Sequence, residues 1–151
     1  MAFLLETAAF APGNSIPEKY TGYGRNIAPP LAWRNPPRGT ESLVLIVEDH
    51  DAPVGTVTHW AAYDLDPDAG GLPEATREGD VAQAVNDMGH ARFDGPKPPK
   101  GHGPHRYHFR LAALDVKYLS LPDAPTHQDV KKAARSHVVA ETELVGVFEI
   151  S

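Results

Sequence analysis

The chain has 151 residues with 14 Lys+Arg against 20 Asp+Glu, eight His, thirteen Gly, fifteen Pro and no Cys, the size of one ordinary domain. Proline is used at about twice its average frequency, which excludes a pure helical bundle, and the lack of cysteine excludes disulfides, Cys-based zinc sites and thiol nucleophiles. A net charge of −6 argues against nucleic-acid or acidic-membrane partners, so any anion site has to be local.

The N-terminal stretch Met1 to Gly13 lacks a basic n-region and meets Glu6 after four apolar residues. It reads as a strand of a cytoplasmic protein, not as a signal peptide or membrane span. The Pro/Gly clusters at 12–17, 28–39, 66–73 and 95–104 are evenly spread and read as loops within a single domain, 1–151. Leu43 to Glu48 is a continuous apolar run suited to a central strand buried on both faces. Thr58 to Leu65 follows after one turn. From His105 the sequence alternates, so His105, Tyr107, Phe109 and Leu111 share one face and Arg106, His108 and Arg110 the other. Thr126 with Asp129 forms a capping box ahead of a predicted helix of about fifteen residues, in which Val130, Ala133, Ala134, His137 and Val138 recur at helical spacing. Glu143 to Glu149 closes the chain as a strand. Many strands and one helix predict a mainly antiparallel β domain.

Carboxylates and imidazoles gather where strands open into loops: Glu48-Asp49-His50-Asp51-Ala52-Pro53, then His59-Trp60, then His105-Arg106-Tyr107 after a Gly/Pro loop. Taken alone, Asp49 and Asp51 suit Asx-type turn chemistry. Together these segments resemble the phosphatidylethanolamine-binding protein (PEBP) family in its bacterial and archaeal, Raf kinase inhibitor-like branch. The family's DPDAP segment and following His-Trp are similar to Asp49–Pro53 and His59-Trp60. Its second signature resembles Asn86-Asp87-Met88-Gly89, Phe93, Gly95-Pro96-Lys97-Pro98-Pro99 and His105-Arg106-Tyr107-His108-Phe109. Further likeness lies in Ile16–Thr21, Asn26, Pro29–Leu31, Trp33 and His137–Glu141, so the resemblance spans about residues 15–148. Three positions depart from the pattern: His50 replaces a proline, Lys97 a frequent cysteine, and Arg135 a common methionine.

The resemblance implies a PEBP-like β-sandwich with a large central antiparallel sheet, a small second sheet and one or two short helices. It also implies one pocket for phosphate-like or anionic groups, lined by Asp49, Asp51, Pro53, His59, Trp60, Gly95, Pro99, His105 and Tyr107. Larger relatives regulate kinases or inhibit proteases, which extends the expectation to such a protein partner, and bacterial relatives suggest a homodimer. No cofactor, resident metal or catalytic residue is expected.

The residue chemistry adds roles. His59 and His105 can donate to an anion's oxygens, with Asp49 or Asp51 orienting them and raising the histidine pKa above about 6.5. Backbone N–H groups of the Gly95 to Gly103 loop can approach a ligand, and Tyr107, on the face of His105, can wall the pocket. The nearby aspartates favour monoanionic or zwitterionic head groups. Trp60 and Tyr107 are equally suited to plain core packing. His137 reads as a core histidine, His127 as exposed, and His90 and His102 as loop residues.

The rival reading is a metal-dependent or acid/base enzyme using His59, His105 and Asp49. His105 and His108 lie on opposite strand faces and cannot share an ion with each other. No nucleophile elbow, dinucleotide fingerprint, P-loop or glycosidase pair is present.

Overall fold

Every residue of Ser42–Asp49 (β3) is buried, as its unbroken apolar run predicts. The computed structural model describes Met1–Ser151, and β3 lies inside a four-stranded antiparallel sheet. Its neighbours are Val57–Leu65 (β4) and His105–Leu114 (β6), with Val138–Phe148 (β7) beyond β6. The small sheet has Leu31–Arg34 (β2) between Leu4–Glu6 (β1) and Gly71–Leu72 (β5).

Alternation along β3 and β6 divides the core. Leu43, Leu45, Val47, Tyr107, Phe109 and Leu111 face the small sheet and pack with Leu5, Leu31 and Trp33. Val44, Ile46 and Leu114 face the other way, against the helix His127–Ala134 (α1) through Val130 and Ala134. A fully buried Leu, Val or Phe contributes about 1.5–3 kcal/mol, so both faces of the large sheet stabilise the fold.

The predicted capping box is present: the Thr126 hydroxyl accepts from the Asp129 N–H, and the Asp129 carboxylate accepts from the Thr126 N–H. The far end of the helix differs from the expectation. α1 has eight residues, a single 3₁₀ turn covers Arg135–His137, and Val138 already starts β7. Pairing of Val138 with Leu114 and Ala140 with Ala113 overrides the helical periodicity that reaches Val138. β7 therefore runs eleven residues, well beyond the predicted final strand.

Two histidines are placed differently from their sequence reading. His127 is buried, because its Nε2 meets Asp87 Oδ1 at 2.7 Å, a partner forty residues away. His137 is half-exposed and pairs with Asp115 at 2.9 Å, since the 3₁₀ turn rotates it off the apolar stripe.

Candidate functional site

Asp49 ends β3, and Tyr107 lies directly across from it on β6, two residues after the strand's first residue, His105. The Asp49 Oδ2 accepts from His105 Nδ1 at 2.6 Å, and its Oδ1 accepts from the Asp51 N–H at 2.8 Å. His105 is 1% exposed, so the carboxylate fixes both its tautomer and its ring plane. With Nδ1–H given to Asp49, the Nε2 of a neutral His105 accepts from His102 Nδ1, 2.7 Å away. Both nitrogens of the expected ligand donor are thus engaged within the protein.

His59 reaches the same place through a bulge. Glu48 pairs with Thr58 and Val47 with Trp60, leaving His59 as the extra residue. A bulge re-aims side chains that strict alternation would separate. Trp60 consequently faces the small sheet, fully buried, its Nε1 donating to Gln83 Oε1 at 2.7 Å and its ring edge-on to Phe93. His59 opens into the cavity at the sheet mouth, with Nδ1–H donating to the Asp94 carbonyl at 2.8 Å. That bond leaves Nε2 without a protein partner. Burial pushes the His59 pKa below its ordinary value, outweighing the Asp94 carbonyl and the charges of Asp49 and Asp94, so the resting ring is neutral. The sequence-based expectation of a raised pKa is corrected for His59: desolvation exceeds the carboxylate effect.

Asn86 holds the loop opposite. Its Nδ2 donates to the His59 carbonyl, the Arg92 carbonyl and Asp94 Oδ2, while Oδ1 accepts from the N–H groups of Met88 and His90. Burial alone would raise the Asp94 pKa, but Asn86, His90 and Arg92 hold it below the usual value. At Gly95 a Cβ would come within 2.2 Å of the Tyr20 carbonyl, so only glycine lets these two backbones meet. The Gly95 N–H is taken by Asn26 Oδ1 at 2.6 Å and the Gly101 N–H by the Ile150 carbonyl. The loop therefore gives fewer free backbone donors than its glycines suggest.

The resulting cavity has a volume of about 460 Å³. It brings together Asp49, Pro53, His59, Gly95, Pro99, His105 and Tyr107 of the sequence-predicted set and leaves out Asp51 and Trp60. Asp51 turns away to Arg106, accepting from its backbone N–H at 2.8 Å and from its guanidinium at 2.9 and 3.2 Å. That guanidinium holds the Asp51 carboxyl down at about 2. Burial, reinforced by Asp49, raises the Tyr107 phenol well above its usual pKa, so it stays protonated as a donor. Gly22, Asn26, Met88, Asp94 and Lys97 also line the cavity. Asn26 and Asn86 stand in segments that carry the family resemblance, but their positioning roles depend on partners far along the chain. No three His, Asp or Glu side chains stand together at metal-binding spacing. His108 faces the other side of the sheet and stacks on His50 at 4.3 Å.

A two-sheet antiparallel β domain with an Asp/His-lined cavity at the mouth of its larger sheet is the class of protein that this geometry defines. The chain belongs to the phosphatidylethanolamine-binding protein family, whose model matches residues 6–149. It is 43% identical to a UPF0098 protein of Methanothermobacter thermautotrophicus, over 95% of this chain and 97% of the relative. Among solved structures it resembles a PEBP homologue from Chlamydia trachomatis (TM-score 0.90, 37% identity, 99% of both chains). It is also similar to Escherichia coli YbcL, a member of the mammalian PEBP family (TM-score 0.91, 27% identity, 99% of both chains). No helix is long and apolar enough to cross a membrane.

Proposed function

We propose that the cavity is a binding site, not a catalytic one, for small phosphate-like or anionic groups. The observation that supports this best is the convergence of His59, His105 and Tyr107 on one cavity, with His59 Nε2 lacking any protein partner. A ligand oxygen can meet His59 Nε2, which takes up a proton as the anion enters, together with the Tyr107 hydroxyl. His105 adds a third donor where the ligand displaces His102 and brings a proton to Nε2, since Nδ1–H is already given to Asp49. A two-His, one-carboxylate metal site is disfavoured by the donor geometry, because Asp49 lies on the far nitrogen of His105. A homodimer and a regulated kinase or protease partner belong to the same reading and rest on the family resemblance alone, and a cytoplasmic location is proposed with them.

Titration of the metal-free protein with millimolar phosphate is expected to shift the NMR ring signals of His59 and His105, and His105→Ala to remove most of the effect. Tyr107→Phe, which keeps the packing, is expected to weaken binding without unfolding. Tight stoichiometric zinc binding with both rings unmoved by phosphate would overturn the proposal.

A further inference from the structure

Lys97 is the one lysine or arginine among the residues lining the cavity. The segment that carries it is fixed on both sides. Pro96 and Pro98 restrict the backbone, the Pro96 carbonyl accepts from the Gly22 N–H at 2.7 Å, and the Pro98 carbonyl accepts from the Tyr23 hydroxyl. The Lys97 stem lies across Gly22, where a Cβ would come within 2.9 Å of the lysine Cδ, so the missing side chain at residue 22 is what lets the stem lie flat. Its ammonium stands 5.9 Å from the Tyr23 ring centroid and has no carboxylate within ion-pair distance.

The cavity carboxylates are in the opposite condition. Asp49 is bonded through both oxygens, to His105 and to the Asp51 N–H. Asp94 is held by Asn86, His90 and Arg92. A ligand ammonium would thus meet an unpaired cation at the mouth and carboxylates that keep their charge but already accept hydrogen bonds, whereas a dianion would meet a positive charge that has no ion-pair partner. A lysine ammonium keeps its charge throughout the neutral range, unlike the neutral His59 ring.

We infer that Lys97 is a specificity-determining residue of this pocket, selecting dianionic phosphomonoesters over zwitterionic phosphoethanolamine head groups. The inference rests on the anion-binding reading given above and reverses the preference that the aspartates alone suggest. Pre-positioning of the stem lowers the ordering cost of the contact.

The test uses methyl phosphate as the dianion and glycerophosphoethanolamine as the zwitterion, each titrated into the full chain at about pH 8 and low salt while the ring signals of His59 and Tyr107 are followed. Methyl phosphate is expected to bind about tenfold more tightly than glycerophosphoethanolamine. Lys97→Met, an exposed substitution that keeps the stem, is expected to weaken methyl phosphate about tenfold and to leave glycerophosphoethanolamine unweakened, with Lys97→Arg restoring the preference. Added salt should erode the difference between wild type and Lys97→Met. If methyl phosphate moves both signals and Lys97→Met binds it as well as wild type does, the selectivity role falls and the pocket reading stands. If neither probe moves either signal, both fall.

Discussion

Glu48 and Asp49 are consecutive buried carboxylates on β3, and they face opposite sides of the large sheet with opposite outcomes. On the helix side, Glu48 receives Lys131 at 2.8 Å, Arg110 at 2.9 Å and His50 at 3.4 Å. Lys131 also donates to Thr58 Oγ1 and lies beside His127, which meets Asp87, which in turn accepts from the Thr58 N–H. Burial would raise the Glu48 pKa, but Lys131, Arg110 and His50 outweigh it and keep it ionised. This network closes on itself and ties α1 to three strands. On the cavity side, Asp49 holds His105 while His59 keeps one nitrogen free. A buried carboxylate whose ion-pair partners are themselves tied to the fold contributes structure; one that orients groups around a free acceptor leaves a site.

The largest expected effect separates these two roles. Glu48→Ala removes the hub of the closed network and leaves two cations without their partner. Breaking a buried pair typically costs about 3–5 kcal/mol, but Lys131 and Arg110 are 28% and 43% exposed and can rehydrate, so a loss of about 2–3 kcal/mol is expected. Denaturant midpoints measure it, and phosphate affinity should stay at the wild-type level. If Glu48→Ala weakens phosphate as much as Asp49→Ala does, the two faces are coupled through β3 and the division is wrong.

The division was only half legible in the sequence. Alternation in β6 and the apolar run of β3 are local patterns, so the faces of His105, Tyr107 and Arg106 followed from spacing. The Thr126–Asp129 box is equally local. Asp51 and Trp60 were out of reach for different reasons. A turn leaves the direction of Asp51 to whichever cation stands nearby, and here that is Arg106 from a neighbouring strand. Trp60 follows the register of β3 against β4, whose bulge at His59 no single-strand pattern reveals. His102 capping His105 and Asp87 burying His127 are likewise contacts between distant or irregular segments.

A smaller effect, in pH dependence, sharpens the cavity side. Because burial lowers the folded pKa of His59, the unfolded chain binds its proton first as pH falls below about 6.5. Stability is therefore expected to be level in His59's contribution above that value and to decline as pH drops toward the folded pKa. His59→Gln should flatten this decline in thermal-melt series. Anion binding near neutral pH should take up a proton, visible as a dependence of the calorimetric heat on buffer ionisation. Affinity should fall as pH rises through the interval between the free and ligand-bound pKa values of His59 and then level off. A binding heat independent of buffer would mean that His59 does not take the proton.

The smallest expected effect concerns Asp51, which the sequence groups with the pocket and the fold turns toward Arg106. Its folded pKa of about 2 lies below the unfolded value, so its contribution to stability is present above about 3.9 and is lost as pH falls toward 2. Its Arg106 partner is 64% exposed, so solvent screens the pair and Asp51→Asn should shift the unfolding midpoint only slightly at neutral pH. The same substitution keeps an acceptor for the Arg106 N–H and leaves Asp49, His59 and Tyr107 untouched, so methyl phosphate affinity is expected to match wild type. A tenfold loss of that affinity would extend the site past Asp49 along the turn, and the cavity could no longer be treated as bounded by the Asp49–His105 pair.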